Sequence, residues 1–388
     1  LRNEEISMKR AVVAGHICLD IIPEIDHPIP LDPGRLYEVG APTIATGGAV
    51  SNTGVALHLL GVPTTLMGKI GDDSFGASVR DVLAEYGREL ADGLIVTPGE
   101  TTSYTVVVNI PGTDRIFLHC PGANNRFVCA DLDLAAIDNA DLFHFGYPAF
   151  MAGQYADNAD QLVAMYRTVR ERGVTTSLDL GMPDPGGPAG ALDWRGILAR
   201  TVPHLDVFMP SADELLYCLD RDSFGHGDQL SPAELRPLAD QLLAMGAGVV
   251  AIKMGARGMY VRTADARRIV DMGRGAPADP GAWADRELWF PIYREERFVG
   301  ATGAGDTTIA GFLAALLKGA DLERAGSVAS AVGACNVEAP DALGGLRTWD
   351  QTVARLDAGW ERISPVIDTE GWLADADGLW HGPGDRAR

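Results

Sequence analysis

The run Val299-Gly-Ala-Thr-Gly-Ala-Gly-Asp-Thr-Thr308 holds the residues best suited to chemistry in this chain. Gly303, Ala304 and Gly305 carry little side chain, so their backbone N–H groups can close around an anion. An amphipathic stretch follows at once, with Ile309, Phe312, Leu313, Leu316 and Leu317 on one face and Gly319 behind them. That spacing predicts a helix whose unpaired N-terminal N–H groups and dipole add to the same anion site. Asp306 stands at the helix start, where a carboxylate either takes a proton from a nearby hydroxyl or caps the helix. The segment alone leaves those two roles evenly balanced.

Two better-known phosphate loops are absent. Gly68-Lys69 is followed by Ile70 and lacks the glycine that GxxxxGK[ST] requires, and Thr308 stands where a GxGxxG loop needs glycine. These absences disfavour a P-loop nucleotidase and a dehydrogenase. A second cluster, Thr46-Gly-Gly-Ala-Val-Ser-Asn-Thr-Gly54, also opens a helix. Gly47 and Gly48 permit close approach of a polar ligand, and Asn52 offers both a donor and an acceptor. In isolation, a glycine-rich turn with an Asn cap is the plainer reading. In Gly68-Lys-Ile-Gly-Asp-Asp-Ser-Phe-Gly76, Asp73 or Ser74 suits the cap of the next helix. Asp20 follows the first strand, where its carboxylate suits sugar hydroxyls.

These segments need a scaffold, and the pattern predicts one. Short apolar runs at Arg10–Ala14, Thr175–Leu180, Asp206–Met209, Val249–Ile252 and Met259–Val261 read as buried strands of a parallel sheet. They alternate with helical stripes such as Phe75, Val79, Val82, Leu83 and Tyr86, which stop at Gly87. The expected fold class is therefore a doubly wound α/β sandwich. Two stretches break the rhythm: a proline-rich one over 18–45, and Tyr104–Ile110 with Arg115–His119, which reads as a hairpin closed by Pro-Gly. Together they predict a small sheet standing off the main body. The Gly/Pro/Asp-rich stretch 264–297 reads as a loop insertion, and 364–388 as an irregular tail.

The chain has 388 residues and a formal net charge of −21, with 46% apolar and 22% charged residues. A sizeable core is expected, and the acidity disfavours nucleic acid and anionic membranes as partners. Five scattered cysteines form no CxxC pair and the eight histidines no HExxH, which argues against disulfides and a zinc site. With no signal-peptide pattern and no membrane-length apolar run, the sequence reads as cytoplasmic. Residues 1–7, ahead of Met8, are set aside from fold reasoning.

The joint order of the motifs resembles the ribokinase-like (PfkB) carbohydrate kinases over roughly residues 10–360. Gly15-His-Ile-Cys-Leu-Asp20 is similar to the family's first strand and sugar-binding Asp. Gly47-Gly-Ala-Val-Ser-Asn52 matches GGxxxN, Gly68 to Gly76 matches GxxGxDxxG, and Gly303-Ala-Gly-Asp306 matches the GxGD anion hole with its catalytic Asp. Lys253-Met-Gly-Ala-Arg-Gly258 is similar to the glycine pair near the nucleotide phosphates. The family's NxxE appears as Ser211-Ala-Asp-Glu214, its DTTGAGD as Gly300-Ala-Thr-Gly-Ala-Gly-Asp306, and Val50 replaces a small residue or proline. With the leading Asp lost, activation by a monovalent cation does not carry over.

The resemblance implies a three-layer α/β/α sandwich with a small β-sheet lid. Its core would be 8–17, 46–102 and 124–363, and its lid 18–45 and 103–123. It implies ATP and Mg²⁺ as cofactors and a sugar-like acceptor, with Asp306 as base and Gly303, Ala304 and Gly305 as anion hole. Asp20, Gly47, Gly48 and Asn52 would hold the acceptor. Ser211, Glu214, Lys253, Gly255, Gly258 and Asn336 would lie on the nucleotide side, Glu214 ordering the metal through water. Arg115 and Asn124-Asn-Arg126 lie in or just past the lid hairpin, in reach of acceptor polar groups. Relatives commonly pair their lids, which implies a homodimer. A nucleoside kinase is the alternative within the class, and a sugar-binding protein without turnover the alternative outside it.

Overall fold

The computed structural model describes residues 8–113, 115–364 and 370–387. Among them, a ten-stranded sheet carries the architecture. Six of its strands run parallel, in the order Thr64–Met67, Ala11–Gly15, Leu142–Gly146, Thr175–Asp179, Val207–Phe208 and Val249–Lys253. Alternation along each strand serves two cores. Ala11, Val13, Val249, Ala251 and Val207 face one core, and Val12, Ala14, Val250, Ile252 and Phe208 face the other. The first core is completed by helices Ala49–Leu59, Ser74–Tyr86, Ala304–Leu317 and Leu322–Asn336. The second is completed by Ala152–Arg170, Trp194–Thr201, Ala212–Leu219 and Pro232–Met245. Coverage on both faces explains why these strands read as continuous apolar runs.

Past Lys253 the sheet turns antiparallel, through Met259–Thr263, Glu287–Phe290, Trp380–His381 and Leu373–Ala374. Two expectations are corrected here. The 264–297 stretch is not merely a loop, because Glu287–Phe290 is a fully buried strand within it. The 364–388 tail is not irregular throughout: Trp380 pairs with Trp289, and Trp372 packs against Tyr260 with ring centroids 6.1 Å apart. A buried ion pair fixes it, Arg286 Nε to Asp385 Oδ1 at 2.6 Å. No helix among the described residues is long and apolar enough to cross a membrane.

A separate four-stranded sheet forms the lid, in the order Thr43–Gly47, Cys18–Ile22, Tyr104–Val108 and Ile116–Cys120. The expected hairpin is its last pair, with Thr105 opposite His119 and Val106 opposite Leu118. Its two faces differ. Asp20, Thr105 and His119 lie in cross-strand register on one face, and Ile44, Ile21, Val106 and Leu118 on the other.

Candidate active site

In an open parallel sheet, side chains converge where the strands end at their carboxyl edge. Here those ends deliver Gly146 and Tyr147, Asp179, and Lys253. The Ala304–Leu317 helix points its N-terminus at the same edge. Gly303 is its N-cap with φ 74, and a Cβ there would come within 2.5 Å of Ala342. Glycine is therefore required on two counts. No side chain caps this helix, so Asp306 is not a capping residue. Its carboxylate turns away from its own helix. Tyr147 OH donates to Oδ1 (2.8 Å) and Oδ2 (2.7 Å), Asn52 Nδ2 donates to Oδ2 (3.1 Å), and Thr53 Oγ1 donates to the Asp306 carbonyl (3.4 Å).

Asp306 is 3% exposed. Burial, then the nearby Asp179 charge, raise its carboxyl to about 6, against the hydrogen bonds from Tyr147 and Asn52 and the Lys253 charge. Lys253 Nζ pairs with Asp179 Oδ1 at 2.9 Å. Burial works against its charge, but Asp179 and Glu214 outweigh that and raise its pKa. Lys253 also lies against the anion loop, with Nζ 3.5 Å from where a Gly305 Cβ would sit. Burial pushes Glu214 up to about 7, Asp179 adding to the effect and Lys253 opposing it.

The Ser211 substitution has a local explanation. Ser211 caps the Ala212–Leu219 helix: its Oγ accepts from the Glu214 N–H (3.3 Å), and its own N–H donates to Glu214 Oε2 (2.8 Å). This is a reciprocal capping box, for which serine serves as well as asparagine at the cap. Glu214 is thereby held beside Lys253, which bridges in parallel to Ser211.

Gly47 lies in the lid strand next to Asp20, and a Cβ on it would meet Asp20 Oδ2 at 2.3 Å. Burial raises Asp20 to about 6, opposed by hydrogen bonds from Cys18 and Thr105. Gly48 is the N-cap of Ala49–Leu59 at φ 86, with His16 packed where its Cβ would be. Asn52, in the first turn of that helix, is no cap but a direct partner of Asp306.

Several other expected residues also have local structural partners. Gly258 is needed because a Cβ would lie 2.0 Å from the Phe290 carbonyl, whereas Gly255, at φ 55, has nothing within 4 Å of such a Cβ. Asn336 Nδ2 donates to the Ala342 carbonyl (2.7 Å), fixing the loop that packs on Gly303, and its buried Oδ1 has no protein partner. Asn124 bonds both backbone groups of Ile17, Asn125 accepts from the Ala152 N–H, and Arg126 pairs with Glu100. Both asparagines thus carry scaffold bonds, while the Arg126 side chain is 69% exposed beside Glu100. Arg115 instead joins the lid to the anion loop, donating to Thr302 Oγ1.

Sequence reasoning missed Asp179, Tyr147 and Thr53. Asp179 ends a strand that was recognised, so its place at the carboxyl edge was a usable signal. Tyr147 ends a strand that was not.

The pfkB family carbohydrate kinase pattern matches residues 8–349. An ATP-dependent ribose-1-phosphate kinase of Halopiger xanaduensis is 29% identical over 327 residues, 84% of this chain and 91% of that protein. A nucleoside kinase of Methanothermobacter thermautotrophicus is 25% identical over 360 residues, 92% of this chain and 98% of that one. The crystal structure of fructokinase with bound ATP from Xylella fastidiosa superposes with a TM-score of 0.69 at 21% identity, covering 90% of this chain and 99% of that one. With a pattern match that spans most of the chain and a fold shared with solved relatives, the protein belongs to the pfkB family of carbohydrate kinases.

Proposed function

We propose that the protein transfers the γ-phosphoryl group of ATP to a hydroxyl of a sugar or sugar-like acceptor. The observation that carries this reading is a buried carboxylate, Asp306, raised to about 6 at the mouth of a glycine-capped helix. A base with that poise is largely ionised at neutral pH yet basic enough to take a hydroxyl proton. The N–H groups of Ala304 and Gly305, at the start of that helix, would face the developing phosphoryl charge, and phosphoryl transfer is served mainly by such positioning and electrostatics.

The donor set suits ATP with Mg²⁺. Among the described residues no cluster of His, Cys, Asp and Glu forms a metal cage. Magnesium commonly keeps its waters and binds through one or two carboxylates and the nucleotide's phosphates. Glu214 and Asp179 would supply that carboxylate charge, and the metal would neutralise the phosphates. The orphaned Asn336 Oδ1 is an acceptor available on the nucleotide side. Asp20 and Asn52 would hold acceptor hydroxyls. The lid, tied to the core through Arg115–Thr302, would exclude water that competes for the phosphoryl group.

A nucleoside acceptor is the second reading. It is favoured by planar rings beside Asp306: Tyr147 lies 5.2 Å from Phe150, and His16 lies 5.1 Å from His119 and 5.9 Å from Phe150. The test is ADP release with Mg-ATP over a panel of ribose, fructose, ribose-1-phosphate, adenosine, inosine and cytidine. Turnover of a sugar or sugar phosphate alone supports the first reading and turnover of nucleosides alone the second. Inertness toward every acceptor, with ligand binding retained, would return the protein to the non-catalytic alternative.

A further inference from the structure

Tyr147, like Asp179, belongs to none of the motifs at this site. It follows the buried strand Leu142–Gly146 and adopts a left-handed backbone, φ 64 and ψ 45, which a residue with a Cβ rarely takes. The surroundings hold it there. Its N–H donates to the Asp179 carbonyl (2.9 Å), its carbonyl accepts from the Phe150 N–H (3.0 Å), and its ring packs on Phe150 and His16. Backbone strain of this kind persists where structure over-determines it, often at functional sites. Here the strained turn delivers one phenol hydroxyl to both oxygens of Asp306.

We propose that Tyr147 is a positioning residue for phosphoryl transfer, holding the Asp306 carboxylate ionised and oriented and ceding one of its two oxygens to the incoming acceptor hydroxyl. The inference rests on the reading of Asp306 as the base. In the step itself, the acceptor O–H bond breaks and its proton passes to the ceded oxygen of Asp306. The acceptor oxygen bonds to the γ-phosphorus as the bond from that phosphorus to the ADP oxygen breaks. Tyr147 keeps its own proton throughout. Burial, then the charges of Asp306 and Asp179, hold its phenol well above the usual range, so it serves only as a donor.

The groups around Asp306 define what its titration reports. Asp179 and Lys253 come from strand ends, Glu214 from the Ala212–Leu219 helix beside them, Asn52 and Thr53 from the Ala49–Leu59 helix, and Tyr147 from its turn. Asp179 pushes the carboxyl up; Tyr147, Asn52 and Lys253 pull it down. Tyr147→Phe deletes only the hydroxyl and keeps the ring packing. A lost donor to a carboxylate should raise its midpoint by about one pH unit.

The experiment is a carboxyl ¹³C NMR titration of the full chain, with Asp306→Asn identifying the resonance, beside kcat against pH for the best acceptor of the panel above. The expected result is a higher Asp306 midpoint in Tyr147→Phe. From a wild-type midpoint near 6, a one-unit rise leaves kcat about five-fold lower at pH 6 and little changed at pH 9. An unchanged midpoint and acid limb would overturn the proposal. Should Tyr147→Phe not fold, 3-fluorotyrosine placed at 147 is a stronger donor and should lower the midpoint, an unmoved one again overturning the idea. The two readings fail separately: full turnover by Asp306→Asn rejects the base itself, whereas an inactive Asp306→Asn with an unmoved Tyr147→Phe midpoint rejects only Tyr147.

Discussion

Two buried charge clusters lie on this one sheet, and they are balanced in opposite ways. At the carboxyl edge, Asp179, Glu214 and Asp306 gather around the cation Lys253. At the far edge, Arg286 pairs with Asp385 and Glu323, while Glu287 receives Arg236, the Tyr260 hydroxyl (2.8 Å) and the Gly384 N–H (2.7 Å). The first cluster is short of positive charge, and two of its carboxyls are raised to about 6 and 7. In the second, burial pushes Asp385 up, but the Arg286 and His381 hydrogen bonds outweigh it and leave its pKa lowered. A cluster that satisfies its own charges holds a fold together. One left with excess negative charge is open to a proton, a metal or a ligand, and such imbalance is what makes a buried cluster a candidate functional site.

The largest expected effect follows from swapping Asp for Asn in each cluster. Asp306→Asn should lower kcat by about 10²–10⁴, the span expected of a general base, with acceptor binding nearly intact. It should also stabilise the protein. A carboxyl whose folded pKa is raised contributes stability below its unfolded pKa and loses it as pH rises through the folded value, here between about 4 and 6. At pH 7.5 the neutral Asn removes that cost, so Tm should rise by about 1–3 °C. A Tm that falls, with turnover unchanged, would erase the distinction between the clusters.

Asp385→Asn should do the reverse. It leaves Arg286, 3% exposed, with Glu323 as its remaining carboxylate partner and removes one charge-assisted hydrogen bond, which costs about 2 kcal/mol. Because the Asp385 pKa is lowered, its contribution is present above the unfolded pKa and fades as the solution is acidified through the folded value. Urea melts at pH 7.5 and about pH 2 should therefore differ between wild type and variant most at the higher pH. kcat in the folded variant should stay within about two-fold of wild type. A large loss of turnover without loss of stability would mean that the tail serves the site directly.

The same contrast explains what the sequence could disclose. The small-residue runs Gly303-Ala-Gly and Gly47-Gly48 raise Asp306 and Asn52 as candidates, but each run alone fits a helix cap as well, and only the joint order of the motifs along the chain favours the site. Asp179 and Tyr147 carry no such local signal; they matter because separate parallel strands end together, which no short window of sequence displays. The Leu142–Gly146 strand hid behind its own content, since His144 interrupts the apolar run yet is wholly buried, bonded to Ser177 (3.0 Å). The tail was misread because its strands are only two residues long and their stability comes from Arg286–Asp385 and the Trp289–Trp380 pairing. The 264–297 stretch misled by its glycine and proline density, which outweighed the three apolar residues within Glu287–Phe290.

Glu214→Gln sharpens the comparison further. Glutamine can still accept from the Ser211 N–H, so the capping box persists while one negative charge leaves the carboxyl-edge cluster. The Mg²⁺ concentration for half-maximal rate should rise about ten-fold, at constant helix content by circular dichroism. An unchanged Mg²⁺ requirement would reduce Glu214 to a capping residue. Ser211→Asn, restoring the common family residue, should be tolerated, since both side chains cap helices well.

The smallest effect concerns the lid, whose two faces repeat the contrast without charge. The face with Asp20, Thr105 and His119 carries the lid's polar groups and is tied to the core, His119 Nδ1 lying 3.0 Å from Thr105 Oγ1 and His119 Nε2 3.4 Å from His16 Nε2. The opposite face aligns Ile44, Ile21, Val106 and Leu118, with Ile44 44% and Leu118 58% exposed and Ile116 44% exposed on the neighbouring register. An apolar sheet face left in water is usually covered by a partner. A second copy of the same face suits this one, because it carries no charge to repel itself. Homodimerisation through the lid is thus expected, and light scattering across a dilution series should report about twice the 41.2 kDa chain mass. Leu118→Asp sets a carboxylate in the middle of that face and should shift the midpoint of dissociation by about ten-fold or more, while the Asp306 site keeps its pH profile. Val106→Asp, directly opposite in register, should act on the same equilibrium and add little to Leu118→Asp in the double variant, since either one already breaks the shared patch. A monomeric mass at every concentration would show that this face stays bare, and an unchanged dimer in both variants would place the interface elsewhere on the molecule.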